Sequence, residues 1–174
     1  MPKGVRSRIE LGSSEMSQEN IPLTGVYHVG VVVKDIEKTM EYYEKNYSCV
    51  FQTPPETGTE RMRIVRHKGA LYRGKPVDYA IKLAFTKLGP IYIEFIQPLE
   101  GRELRTEFLE NHGEGIHHIG IRVDDLEGEL AKMAKLGFNV VLRSEPGYPT
   151  NWAYLDTDKV GGIMYELVQR PKPA

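Results

Sequence analysis

"VYHVGVVVKDIE" (residues 26–37) and "IHHIGIRVDDLE" (residues 116–127) are the same phrase written twice, ninety residues apart. His, Gly, Val, Asp and Glu recur at five of the twelve positions, and four more exchange Val, Ile and Leu. The likeness continues past the strand. Ile36, Met40 and Tyr43 fall at i, i+4, i+7, and so do Leu126, Leu130 and Met133, so each phrase feeds an amphipathic helix. Asp35 and Asp125 stand where a helix N-cap belongs. A second pair closes each half: "IYIEFIQP" (91–98) matches "IMYELVQR" (163–170) through Ile, Glu and Gln. A period of this length sets the architecture before any local reading does. The chain is two βαβββ modules, an α+β fold whose paired strands form a curved mixed sheet around a shared cavity.

Alternation and turn residues place further strands near 49–53, 77–87 and 91–97 in the first half, and near 138–143 and 151–156 in the second. "KLGP" (87–90) reads as a hairpin turn. Segment 54–76, rich in Gly, Arg and Lys, has no counterpart in the second half and reads as an insertion or long loop. The modules are expected at 24–98 and 114–170. A linker at 99–113 joins them, with a short helix in "RELRTEFLENHG" ended by Gly113. Residues 1–20 and the closing "RPKPA" are polar and aperiodic, and are expected to be disordered.

Composition excludes several classes. With 23 basic against 24 acidic residues the net charge is −1, so there is no basic field for nucleic acid and no polybasic membrane helix. No apolar run is long enough to span a bilayer, and no signal peptide is read at the N-terminus. The lone Cys49 forbids an internal disulfide and fits a reducing, cytoplasmic setting.

Four chemically expensive residues stand at equivalent points of the repeat: His28, Glu94, His118 and Glu166. Taken singly, a strand His is more often a satisfied core residue and a strand Glu a solvent-facing one. Duplication of a fold preserves apolar positions and glycines. It gives no reason to keep a His and a Glu at matching places in both halves. Two imidazoles and two carboxylates suit a divalent transition ion. Strand alternation puts His118, Gly120 and Arg122 on one face, as it does His28, Gly30 and Val32. It turns His117 to the apolar face under the helix, as a packing or supporting residue. His67 and His112 sit in polar, loop-like text and are expected to be solvated.

These motifs resemble the vicinal oxygen chelate (glyoxalase/bleomycin resistance/dioxygenase) superfamily across residues 24–170. They look most like methylmalonyl-CoA epimerases, in "YHVGVVVKDIEKTMEYYEK", "IEFIQPLEG", "EGIHHIGIRVDDL" and "GGIMYELVQ". The resemblance implies a metal set of His28, Glu94, His118 and Glu166 and one divalent cofactor (Co, Ni, Zn, Mn or Mg). It implies a substrate that chelates the ion through two oxygens, a cytoplasmic enzyme and a homodimer. The reaction implied is proton transfer through an enolate: epimerisation or isomerisation of an acyl-CoA such as methylmalonyl-CoA, with Glu166 as base and Glu94 as its partner. A glyoxalase I-like lactoylglutathione lyase is the runner-up, and an iron-dependent extradiol-type dioxygenase ranks third. A binder without catalysis is disfavoured by the intact ligand set. The chain departs from the epimerase pattern after "PETG", where Arg61 and Arg63, with Glu60 nearby, stand near a position that some epimerases give to a glutamate. The expected substrate contacts are Arg122, Arg63, Tyr148 and Asn151, with Trp152 near the mouth. Arg61, Arg63, Arg66, Lys68 and Arg73 form either a phosphate-attracting cluster or a solvated basic surface.

Overall fold

The computed structural model describes residues 25–54 and 58–169. Both expected tails lie outside these residues. The first half opens with β1 (Val26–Val32) and α1 (Ile36–Tyr47) and continues through β2 (Arg63–Tyr72), β3 (Lys75–Leu88) and β4 (Ile91–Glu100). A helix, α2 (Leu104–His112), leads to the second half: β5 (Gly115–Val123), α3 (Leu126–Lys135), β6 (Val140–Arg143), β7 (Trp152–Leu155) and β8 (Met164–Gln169). The eight strands curve into a closed mixed sheet in the order β1-β4-β3-β2-β6-β7-β8-β5. The halves meet twice, through antiparallel β1–β5 and through a short β2–β6 contact of two register pairs.

The helix signals act as local chemistry dictates. Asp35 Oδ1 accepts from Lys38 N at 3.0 Å, and Asp125 Oδ1 accepts from Gly128 N at 3.1 Å, which satisfies backbone donors that a first turn leaves open. Each helix then lays its apolar stripe on the outside of the barrel. Ile36 and Met40 pack with Phe51, Ala84 and Phe95, while Leu126, Leu130 and Met133 pack with Ile121, Ala153, Leu155 and Leu167. A third cluster fills the inside, from Ile81, Leu83 and Phe85 to Leu142, Trp152 and Tyr154. Gly113 ends α2 with φ 79°.

Two strand expectations change. Segment 54–76 is not mainly loop, because 63–72 is a ten-residue strand that turns through Arg73 (φ 50°) and Gly74 (φ 76°) into β3. Its polarity is inverted, and this hid it. Arg63, Val65 and His67 point inward, while Ile64 is 51% exposed on the outside. The strand expected at 49–53 is a single bridge, Phe51 with Thr86.

Candidate functional site

The β1–β5 seam brings the repeated histidines together. His28 lies opposite Gly120, and Gly30 lies opposite His118. On the outer sides Gly30 pairs with Glu94 in β4, and Gly120 pairs with Glu166 in β8. Two rows result, Glu94–Gly30–His118 and His28–Gly120–Glu166, related by the pseudo-twofold of the repeat. Each glycine makes room for the imidazole of the other half. A Cβ on Gly30 would stand 1.8 Å from His118 Cε1, and a Cβ on Gly120 would stand 2.1 Å from His28 Cε1.

The four side chains are buried and their donor atoms lie within 4.8 Å of one another. His28 Nε2 is 3.1 Å from His118 Nε2, 3.0 Å from Glu166 Oε2 and 3.3 Å from Glu94 Oε2. His118 Nε2 is 3.6 Å from both carboxylates. With metal–ligand bonds of about 2.1 Å, donors sit about 3.0 Å apart at right angles and about 3.4 Å apart at tetrahedral angles. The set therefore fits a divalent ion in both spacing and chemistry. The same contacts set the charges in the cluster. Burial works against charge on both His118 and Glu166, yet mutual hydrogen bonding wins: His118 is raised by the two carboxylates, and Glu166 is held well below the usual range by the two histidines.

The cluster opens onto a cavity of about 320 Å³ lined by Tyr27, Ile81, Leu83, Phe85 and Val168, with Arg63, His67 and Arg105 among its polar groups. Residues 27–154 match the model of the glyoxalase/bleomycin resistance protein/dioxygenase superfamily. The chain belongs to that superfamily. An uncharacterized protein of Bacillus subtilis (strain 168), YqjC, is 22% identical over 145 residues, covering 82% of this chain and 89% of its own. Methylmalonyl-CoA epimerase from Mycobacterium tuberculosis superposes with a TM-score of 0.60 at 20% identity, over 90% of this chain and 95% of that one. A Streptomyces coelicolor methylmalonyl-CoA epimerase variant in complex with 2-nitronate-propionyl-CoA gives a TM-score of 0.60 at 20% identity, over 86% and 96%. At these identities the likeness is one of fold.

Within this superfamily frame the remaining residues sort by position. Arg63 and Tyr148 line the cavity, as does Trp152. Asn151 does not: it is exposed, and its carbonyl accepts from Gln169 N. Arg122 does not reach inside either. Its guanidinium stacks 3.5 Å from the centre of the Tyr27 ring, so it supports a wall residue. Arg61, Arg66 and Arg73 pair with Glu44, Glu100 and Glu107 on the outer surface, which favours the solvated reading of the basic cluster. Glu60 is exposed and accepts from Thr59 N, away from the cavity.

Two histidines depart from expectation. The β1–β5 register slips between Gly30 and Val31, which pair with His118 and Ile116. His117 is thus the extra residue of a β-bulge, and strict alternation fails there. It does not lie under α3. It packs edge-on against Phe108 of α2, with Nδ1 3.0 Å from His118 Nδ1. Burial, with His118 and Arg105 nearby, pushes His117 down to about 2, so it is neutral. An ion on His118 Nε2 would leave the ring proton on Nδ1, which would then donate to the neutral His117 and fix the ring orientation. Among the described residues His28 lacks such a partner, and its Nδ1 is buried without a hydrogen bond. His67 is buried on the cavity wall rather than solvated, with Nδ1 2.8 Å from Glu145 Oε2. Its inward position on β2 was the missed signal. His112 is exposed, as expected. Among the described residues no helix is long and apolar enough to cross a membrane.

Proposed function

We propose that the chain is a metal-dependent enzyme that moves a proton on a carbon next to a carbonyl, epimerising or isomerising an acyl-CoA such as methylmalonyl-CoA. The observation that carries this reading is the buried His28–Glu94–His118–Glu166 cluster at the cavity floor. A divalent cation held there by these four residues supplies Lewis acidity to a substrate carbonyl. Everything else falls to the chain. Glu166 is ionised at neutral pH and faces the cavity, so its carboxylate oxygen accepts the substrate proton, and Glu94 is its counterpart from the other half. Ile81, Leu83, Phe85 and Val168 keep water from the reacting carbon. A cavity of about 320 Å³ lies at the small end of ligand sites. It suits a malonyl-sized acyl group whose carrier stays at the mouth. The fold neighbours include an epimerase solved with a CoA thioester ligand, which supports the same substrate class.

The test is solvent deuterium wash-in at C2 of methylmalonyl-CoA by metal-loaded protein, run beside the glutathione–methylglyoxal adduct. Exchange in the first reaction alone is expected. Turnover of the adduct alone makes the protein a lyase on the same ligand set. Failure to take up stoichiometric Co, Ni, Zn, Mn or Mg removes the metal from the reading. Glu94 within the cluster argues against the dioxygenase alternative, which leaves more positions open for oxygen with two His and one carboxylate.

A further inference from the structure

We infer that His67, oriented by Glu145, is a second proton-transfer group of the cavity, acting from a wall other than the one that carries Glu166. Both residues line the same cavity, and β2 is separated from β8 in the barrel by β6 and β7. The inward face of β2 presents Arg63, Val65 and His67 and no carboxylate. A base on this wall must therefore be the imidazole.

The geometry fixes the tautomer of the imidazole. Glu145 Oε2 can only accept, so the 2.8 Å contact puts the proton on His67 Nδ1 and leaves the Nε2 lone pair free. No described residue hydrogen-bonds Nε2. Tyr79 and Tyr148 stack on the ring at centroid distances of 4.7 and 4.6 Å, and Trp152 meets it edge-on at 5.3 Å, so it cannot swing. A phenylalanine would fill this aromatic box at no desolvation cost, so the fold alone does not call for a histidine. The groups around it set its protonation. Burial lowers the pKa of His67, Glu145 raises it, Arg105 lowers it and Glu103 raises it, with the net direction downward. Arg63 and the Tyr79 and Tyr148 rings complete its surroundings. The imidazole is therefore neutral at pH 7 and able to take a proton.

In the step assigned to it, the substrate C–H bond breaks and its proton passes to Nε2. The electron pair stays on the substrate as the enolate, and Glu145 balances the imidazolium. Glu166, a carboxylate at rest, takes a proton from solvent water and delivers it to the same carbon, and the imidazolium returns its own proton to solvent, so the proton count closes. If the two groups act on different faces, the product is the epimer, and the reverse reaction exchanges their roles.

This inference rests on the proton-transfer reading, and two measurements keep their failures apart. The first needs no substrate: long-range ¹⁵N NMR of histidine-labelled, metal-loaded protein at pH 7, with His67→Gln for assignment. The expected state is the neutral Nδ1–H tautomer. An imidazolium, or a proton on Nε2, overturns the inference whatever the substrate proves to be. The second is C2 deuterium wash-in. His67→Gln should lower kcat by roughly 100-fold or more with KM little changed, and added imidazole should partly restore His67→Ala. Glu145→Gln, which removes a pKa-raising partner, should move the acid limb of the pH profile to lower pH. A purely structural role would give neither rescue nor that displacement. Wild-type exchange by folded His67→Gln overturns the inference and leaves the proposed function standing. Absence of exchange in the wild type overturns that function, and the tautomer measurement then decides His67 alone.

Discussion

Gly30→Ala tests whether the paired glycines exist to seat the histidines. The added methyl would lie 1.8 Å from His118 Cε1, 2.3 Å from Nδ1 and 2.4 Å from Nε2. Carbon atoms approach comfortably to about 3.5 Å, so the ring must retreat by about 1.7 Å. It has little space to do so. His118 is 1% exposed, its Nδ1 is bonded to His117, and Tyr154 stands edge-on at 4.9 Å. Metal sites tolerate about 0.2 Å in ligand distance, so a displacement of this size removes a ligand. The expected outcome is a stability loss of about 1–3 kcal/mol from overpacking. Affinity for Co²⁺ or Zn²⁺ should fall by more than about 100-fold, beyond the range typical of losing only a supporting residue. Gly120→Ala should do the same through His28, where the clash is 2.1 Å. Gly115→Ala, in the same strand with open space around its Cβ, is the control. Calorimetric titration of metal-stripped protein reads all three. Affinities within threefold of wild type for Gly30→Ala and Gly120→Ala would refute the reasoning, as would a wild type that takes up no ion.

Other substitutions probe separate parts of the molecule. His117→Phe keeps the packing against Phe108 but removes the acceptor for His118 Nδ1, and should weaken metal binding by about 10- to 100-fold in the same titration. Glu103→Gln leaves Arg105, which is 3% exposed, short of its charge partner. Urea unfolding should show a loss of about 3 kcal/mol, much of it regained in Glu103→Leu with Arg105→Met. Asp156 accepts from Asn139 N and pairs with Lys159; these bonds outweigh burial and hold it down to about 2, from 3.8. A depressed carboxylate stabilises above its unfolded pKa, so its contribution should vanish as pH falls from about 4 to about 2. The stability difference between wild type and Asp156→Asn should close over that window, and a constant difference would contradict the assignment.

The repeat made the architecture readable because a duplicated module copies its apolar positions. It made the two His and two Glu residues stand out because duplication alone has no use for a buried Glu. What alternation could not supply was register. A single extra residue in β5 changes the direction of His117, and no pattern of Ile and Val announces a bulge that turns a histidine onto α2. β2 was hidden for a related reason. Strand recognition assumes an apolar inside, and this strand turns Arg63 and His67 inward because its inside is a cavity wall rather than a core. Arg122 and Asn151 also lie elsewhere than expected: Arg122 stacks on Tyr27, and Asn151 is exposed before β7. The failures therefore concentrate where the chain departs from its own symmetry. Each half has a first strand, a capped helix and a closing glutamate, but the first half alone has a long polar β2. If the symmetric residues hold the ion, the asymmetric ones are where a substrate must be told apart. Substitutions at Arg63, His67 and Tyr148 should then alter substrate choice while leaving metal affinity in place.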